Sequence, residues 1–182
     1  MTTYILHGGK TSVDSVGNKQ FFRLFTSNVL MCYFARNKSD WAQLFTHDKA
    51  IISTKANISI VENIPDLYAN LPHANILYVA GGEQEYLEPY IKDLSLLKSL
   101  LNGKIYIGSS MGAFLASENY VLSLDGQHTD TVYSGLGFVP YNILCHWNIE
   151  KNKEKKIAML KGKSPDSPIL LLNEEEFTTI TI

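Results

Sequence analysis

The sequence predicts an α/β protein built on a mainly parallel sheet, and three observations lead there. Short apolar runs alternate with longer amphipathic ones along the chain, the pattern of repeated strand and helix. One run, Val29 to Phe34, is continuously apolar, as a strand buried on both faces must be. Three apolar runs end abruptly in small-residue turns at Gly8-Gly9, Ala80-Gly81-Gly82 and Gly108.

Taken in order, Tyr4 to Leu6 starts the first strand, and Gly17 to Asn28 carries Phe21, Phe22, Leu24 and Phe25 at helical spacing. After the strand Val29 to Phe34, Ser39 is suited to cap a helix running through Trp41, Leu44 and Phe45, with Asp40 complementing its first turn. Asn57 to Val61 alternates as a strand. A short helix at Pro65 to Leu71 leads into the strand Asn75 to Val79, and a longer helix, Glu85 to Leu101, closes at Asn102-Gly103. Lys104 to Ile107 is another buried strand, followed by a tight turn and a helix to about Ser117. Beyond it the pattern becomes irregular, with turn signals at Asp125-Gly126 and Ser134-Gly135. Tyr141 to Trp147 reads as a strand, Glu150 to Leu160 as a charged helix, and Ile169 to Ile182 as a hairpin around Asn173-Glu174-Glu175.

A length of 182 residues matches one domain at roughly 100 to 200 residues each, so residues 1–182 are read as a single domain. The apolar share of 45% and charged share of 19% allow a real core and exclude disorder or a disulfide-stapled miniprotein. Sixteen basic against eighteen acidic residues give a net charge of −2, which lacks the excess that nucleic acid demands. Cys32 and Cys145 lie in apolar runs, as buried free thiols do. No leader-like segment opens the chain, and no apolar run approaches the roughly 18 residues of a membrane span. A soluble, cytoplasmic protein without membrane contact is expected.

Chemistry concentrates at Tyr106 to Ala113, where Gly108-x-Ser110-x-Gly112 joins a buried strand to a helix. That context marks a nucleophile elbow, in which small residues flank the serine because strand and helix backbones pass close by. Ser110 would stand at the carboxyl edge of the sheet and at a helix N-terminus, with the Met111 N–H free to donate to an oxyanion. A serine nucleophile needs a base and an orienting acid. Among five histidines, His146 ends an apolar strand downstream of the elbow and is the candidate base. Asp125 and Asp130 are the aspartates between the two, and sequence separation does not choose between them. At Ala80-Gly81-Gly82, phosphate-loop motifs are absent and Glu83 and Glu85 would repel phosphate, so a Gly81 or Gly82 amide completing an oxyanion hole fits better. For metal, His128-x-Asp130 is too sparse a ligand set. No metal or other cofactor is expected.

The motif Tyr-x-Gly-x-Ser-x-Gly-Ala at 106–113, the Gly81-Gly82 strand end, the run Gly135-Leu136-Gly137-Phe138-Val139-Pro140 and the following His146 together resemble peptidase E, the aspartyl dipeptidase family. The opening Tyr4-Ile5-Leu6-His7-Gly8-Gly9 and the strand Met31 to Ala35 share the resemblance, which spans nearly the whole chain. It implies a flavodoxin-like three-layer sandwich of the class I glutamine amidotransferase-like kind, with serine in place of cysteine, and a Ser-His-Asp/Glu triad. Carried over by motif, Ser110 is the nucleophile, His146 the base and Asp125 the acid, with Asp130 in reserve. Gly82 and Met111 would form the oxyanion hole, and Gly81 and Glu83 would meet substrate.

The resemblance also implies a serine hydrolase, a dipeptidase or aminoterminal peptidase, whose partner is a small peptide; a homodimer stays open. Met111, Phe114 and Glu83 depart from the family pattern, and Glu83 would disfavour an acidic substrate side chain. These departures leave a second reading, a non-catalytic binding protein on the same scaffold. An α/β-hydrolase would use the same elbow, but too little chain follows Ser110 for its remaining strands and lid.

Overall fold

A computed structural model describes residues 1–11, 15–52, 55–123 and 130–182 of the chain. Among these residues, β1 (Thr3–His7), β2 (Asn28–Cys32), β3 (Asn57–Ile60), β4 (Ile76–Val79), β5 (Ile105–Ser109) and β10 (Phe177–Thr181) form the larger sheet, in the order β10-β1-β5-β4-β2-β3. All neighbours run parallel except β10, which pairs antiparallel with β1. The smaller sheet has the order β7-β6-β8-β9, from β6 (Asn119–Val121), β7 (Val132–Ser134), β8 (Asn142–Leu144) and β9 (Ile169–Leu171). The mixed α/β architecture with a mostly parallel sheet is the one the alternating pattern predicts, and it is flavodoxin-like, as the resemblance implies.

Burial explains the larger sheet. Every residue of β4 is buried, as are the last four of β1, β2 and β5, because helices cover both faces of a parallel sheet. The helices α1 (Val16–Phe22), α2 (Trp41–Ile51), α3 (Ile64–Asn70), α4 (Gln84–Ile91) and α5 (Leu97–Leu100) each bury an apolar anchor, namely Phe21, Trp41, Leu67, Leu87 and Leu97. A satellite core of Val121, Leu144 and Leu160 holds α7 (Lys153–Lys163) on the smaller sheet. Cys32 and Cys145 are both free and buried, as expected, and burial pushes the Cys32 thiol up to about 12. Among the described residues, no helix is long and apolar enough to cross a membrane.

Four expectations change. The helix expected over Glu85 to Leu101 divides into α4, a 3₁₀ turn at Lys92–Leu94 and α5. Pro89 lies inside α4 and has no N–H for the preceding turn, so the helix is weakened before it ends. Ser39 does not cap α2: it lies in a 3₁₀ turn, Lys38–Asp40, capped by Asn37, whose side chain accepts the Ser39 N–H, and α2 begins directly after Asp40 without a side-chain cap. The irregular stretch after Ser117 contains β6 and β7, each too short for a legible alternation. Most consequentially, β9 and β10 are not a hairpin. β9 pairs in parallel with β8 while β10 joins β1, so residues 172–176 cross from one sheet to the other.

Candidate active site

The carboxyl ends of β1, β4 and β5 meet at one edge of the larger sheet, where open α/β sheets bind ligands. Ser110 follows β5 and precedes α6 (Met111–Ala116), all of whose residues are buried. Its backbone sits at φ 48° and ψ −102°, a conformation that costs a non-glycine residue about 1–3 kcal/mol. The elbow is held by close approach: a Cβ on Gly112 would lie 2.2 Å from the Val79 carbonyl oxygen, and one on Gly108 2.5 Å from that of Gly112. The strained serine and its two small flanking residues are thus one packing solution, as the motif implied.

The structure brings Ser110 and His146 together. Ser110 Oγ lies 2.9 Å from His146 Nε2. His146, just past β8, is itself at φ 54°, and its N–H donates to the Gly8 carbonyl over 3.1 Å. On the far side of the ring, Nδ1 lies 3.0 Å from Glu174 Oε1, with side chains 14% and 13% exposed. Glu174 rides on the crossing between the two sheets, and its N–H donates to Asn148 Oδ1 over 2.9 Å. A carboxylate accepts only, so it fixes the proton on Nδ1 and leaves Nε2 to accept from the serine hydroxyl. The arrangement can therefore move a proton from Oγ to Nε2 while the carboxylate offsets the charge that develops on the ring.

Of the two aspartates the sequence offers as acid, only Asp130 is among the described residues. Asp125 lies outside the described residues, as does His128. Asp130 does not approach His146; it pairs with Lys155 at 2.6 Å and its side chain is 71% exposed. The carboxylate on the imidazole is Glu174, read from sequence as part of a hairpin turn. The sequence order Ser, Asp, His places the acid before the histidine, whereas this carboxylate follows it in the chain. The signal that could have found it is the carboxylate run Glu174-Glu175-Glu176, placed straight after an apolar strand.

Met111 opens α6, where the first helical N–H groups have no carbonyl in their own helix. Among the described residues the Gly81 and Gly82 amides donate to no backbone carbonyl, and a Cβ on Gly81 would lie 3.1 Å from Ser110 Cβ. Gly81 thus lies against the nucleophile, and Gly82 lines the same cleft. A cleft of about 1140 Å³ opens in front of Ser110 and His146. Lys10 and Arg36 contribute positive charge to its lining, and Glu83, Glu85 and Glu88 negative charge. Arg36 Nε donates to the Gly81 carbonyl over 2.5 Å, which holds the guanidinium beside the elbow; it belongs to no motif that would single it out. Phe114 stacks on Tyr120 with ring centres 5.0 Å apart and is almost wholly buried, so its effect is on packing more than on pocket polarity. Among the described residues no group of three or more His, Cys, Asp or Glu could hold a metal ion.

Residues 34–181 match the profile of Peptidase family S51. An uncharacterized peptidase of Listeria monocytogenes is 31% identical over 120 residues, covering 59% of this chain and 58% of its own. A second, from Listeria innocua, is 30% identical over 135 residues, covering 65% of each chain. The chain thus matches less than two thirds of the length of these curated relatives. Among solved structures, one described as a candidate peptidase E from Listeria monocytogenes EGD-e superposes with a TM-score of 0.64 at 19% identity, covering 100% of this chain and 99% of that one. That likeness shows a shared fold.

Proposed function

Because the chain belongs to Peptidase family S51, we propose that it is a serine peptidase of the dipeptidase or aminoterminal kind, with Ser110 as nucleophile, His146 as base and Glu174 as acid. The observation that carries this reading is the continuous chain of contacts at the elbow, 2.9 Å from Ser110 Oγ to Nε2 and 3.0 Å from Nδ1 to Glu174. Both are within reach for proton transfer.

In the proposed reaction, Oγ attacks the scissile carbonyl carbon as its proton passes to Nε2. The tetrahedral oxyanion is held by the N–H groups of Met111 and Gly82. Its collapse breaks the C–N bond, and Nε2–H gives the proton to the leaving amine. An acyl-serine remains. A water, deprotonated by the same Nε2, then attacks the ester, and the second collapse returns the proton to Oγ and releases the acid. A cleft lined by fixed charges of both signs suits a short peptide with a free ammonium and a free carboxylate, and Gly81 and Glu83 line the approach. Two buried, unpaired cysteines fit a reducing cytoplasm.

A fluorophosphonate probe should label the wild type and leave Ser110→Ala unlabelled. Against a dipeptide library, that variant should lose about 10³-fold or more in kcat while still unfolding cooperatively. Acetylating the substrate's amino group should abolish turnover. A wild type that neither labels nor hydrolyses any peptide would instead make the chain a binding protein on this scaffold.

A further inference from the structure

We propose that His7 is a positioning residue for the base, a neutral imidazole behind the site that holds the Gly8-Gly9 turn against the ring of His146. The proposal rests on the reading of His146 as the general base. His7 is fully buried at the end of β1. Its Nε2 lies 2.8 Å from Asn18 Oδ1, and its Nδ1 accepts the Gly9 N–H over 3.0 Å.

The partners fix the proton. Asn18 Nδ2 donates to the Lys10 carbonyl over 2.9 Å, so the other end of that amide, the acceptor, faces Nε2. Nε2 therefore carries hydrogen and Nδ1 is bare. A second proton on the ring would set an N–H against the Gly9 N–H 3.0 Å away, two donors with no acceptor between them. Burial also disfavours the charged ring and lowers the pKa of His7 below its ordinary 6.5. The nearby His146 lowers it further, while Asn18 and the nearby Glu175 work in the opposite direction. Among the described residues, the ring contact with Phe21 from α1, with ring centres 4.4 Å apart, and the strand pairing with Ser109 of β5 and Phe177 of β10 add no charge.

The turn that His7 holds is hydrogen-bonded to Ser110, to His146 and to the neighbour of Glu174. The His7 carbonyl accepts the Ser110 N–H at 2.9 Å, that of Gly8 the His146 N–H at 3.1 Å, and that of Gly9 the Glu175 N–H at 3.0 Å. Gly9 has φ +113°, and a Cβ there would lie 2.2 Å from His146 Cε1 and 2.7 Å from Nε2. Gly9 is thus the floor under the imidazole. If its N–H is released from His7, the floor shifts, and His146 loses its alignment with Ser110 on one side and Glu174 on the other. A misplacement of about 1 Å at a reacting group costs roughly 10²-fold in rate.

The test compares His7→Leu, which removes the acceptor, with His7→Asn, whose amide oxygen can stand near Nδ1 and does not titrate. His7→Leu should lower kcat by about 10- to 100-fold with KM within twofold, and His7→Asn should restore kcat to within about threefold of wild type. In wild type, protonation of His146 abolishes turnover and protonation of His7 lowers it by a further 10- to 100-fold, so log kcat should fall in acid more steeply than the slope of one that a single base gives. His7→Asn should fall with a slope of one. A folded His7→Leu with wild-type kcat, or a His7→Asn as impaired as His7→Leu, overturns the proposal. If His7→Leu does not fold, an acid limb of His7→Asn identical to that of wild type overturns it as well. Ser110→Ala measured alongside separates the two ideas: undiminished activity in that variant removes the reading of the site and this proposal with it.

Discussion

At the scale of single residues, the proposed acid is the position where the structure and the sequence expectation differ most. Glu174 contacts Nδ1 directly, whereas Asp130 is a solvated partner of Lys155. Glu174→Gln keeps the shape but offers the ring either no charge or a competing donor, so it should lower kcat by roughly 10⁴ with little loss of stability. Asp130→Asn should change kcat by less than twofold, because exposed ion pairs contribute little. Dipeptide kinetics on both variants check this, and equal losses would remove Glu174 from the role. His7 supplies a pH effect on stability that is separate from activity. Its pKa is lowered on folding, so the unfolded chain binds its proton more readily. The contribution is complete above the ordinary value of 6.5 and is lost as pH falls through the lowered folded value. Urea midpoints should therefore fall from pH 7 to pH 5 more steeply in wild type than in His7→Asn. Ser110 and His146 were legible in the sequence because a short motif and a strand end announce them. Glu174 was not, since its role depends on where a chain lands after leaving one sheet for another.

Elements carry the next level of constraint, and glycine substitutions measure it. Gly112 sits in α6 with the Val79 carbonyl 2.2 Å from where a Cβ would be, and that carbonyl belongs to a central strand that cannot retreat. Gly112→Ala should cost about 3 kcal/mol, the upper range of overpacking. Gly162, inside α7, has nothing within 4 Å of its Cβ position, so Gly162→Ala should stabilise by about 0.5–1 kcal/mol through helix propensity. Chemical denaturation of the pair decides whether space or conformation governs the elbow. The buried parallel strands were readable because continuous apolar runs between glycine turns admit few alternatives. β6 and β7 were not, at three residues each. The mistaken hairpin has a related cause: two adjacent strands with a polar turn between them look alike whether they pair with each other or with strands far away. Only the partners, β8 and β1, distinguish the cases.

Across the whole molecule, the site lies on the seam between the sheets. Ser110 ends a strand of the larger sheet, His146 follows one of the smaller, and Glu174 lies on the crossing between them. The turn after His146 is consequently as important as the elbow. The N–H of Glu150 donates to the His146 carbonyl over 3.1 Å, and its carboxylate meets Lys156 Nζ at 2.5 Å, with both side chains 3% exposed. Lys156 also donates to the Leu122 carbonyl over 2.8 Å, which ties α7 and the end of β6 to this turn. Lys156→Met removes the cation 2.5 Å from the buried Glu150 carboxylate and should cost about 3–5 kcal/mol. Replacing both, as Lys156→Met with Glu150→Leu, removes the buried carboxylate as well and should recover most of that loss. The two variants then part company from their stabilities in activity. The double variant still lacks the ionic link that pins the turn behind His146, so its kcat should stay several-fold below wild type while its thermal midpoint returns. If kcat recovers in step with the midpoint, the pair serves stability alone, and the alignment of His146 rests on the Gly8-Gly9 turn.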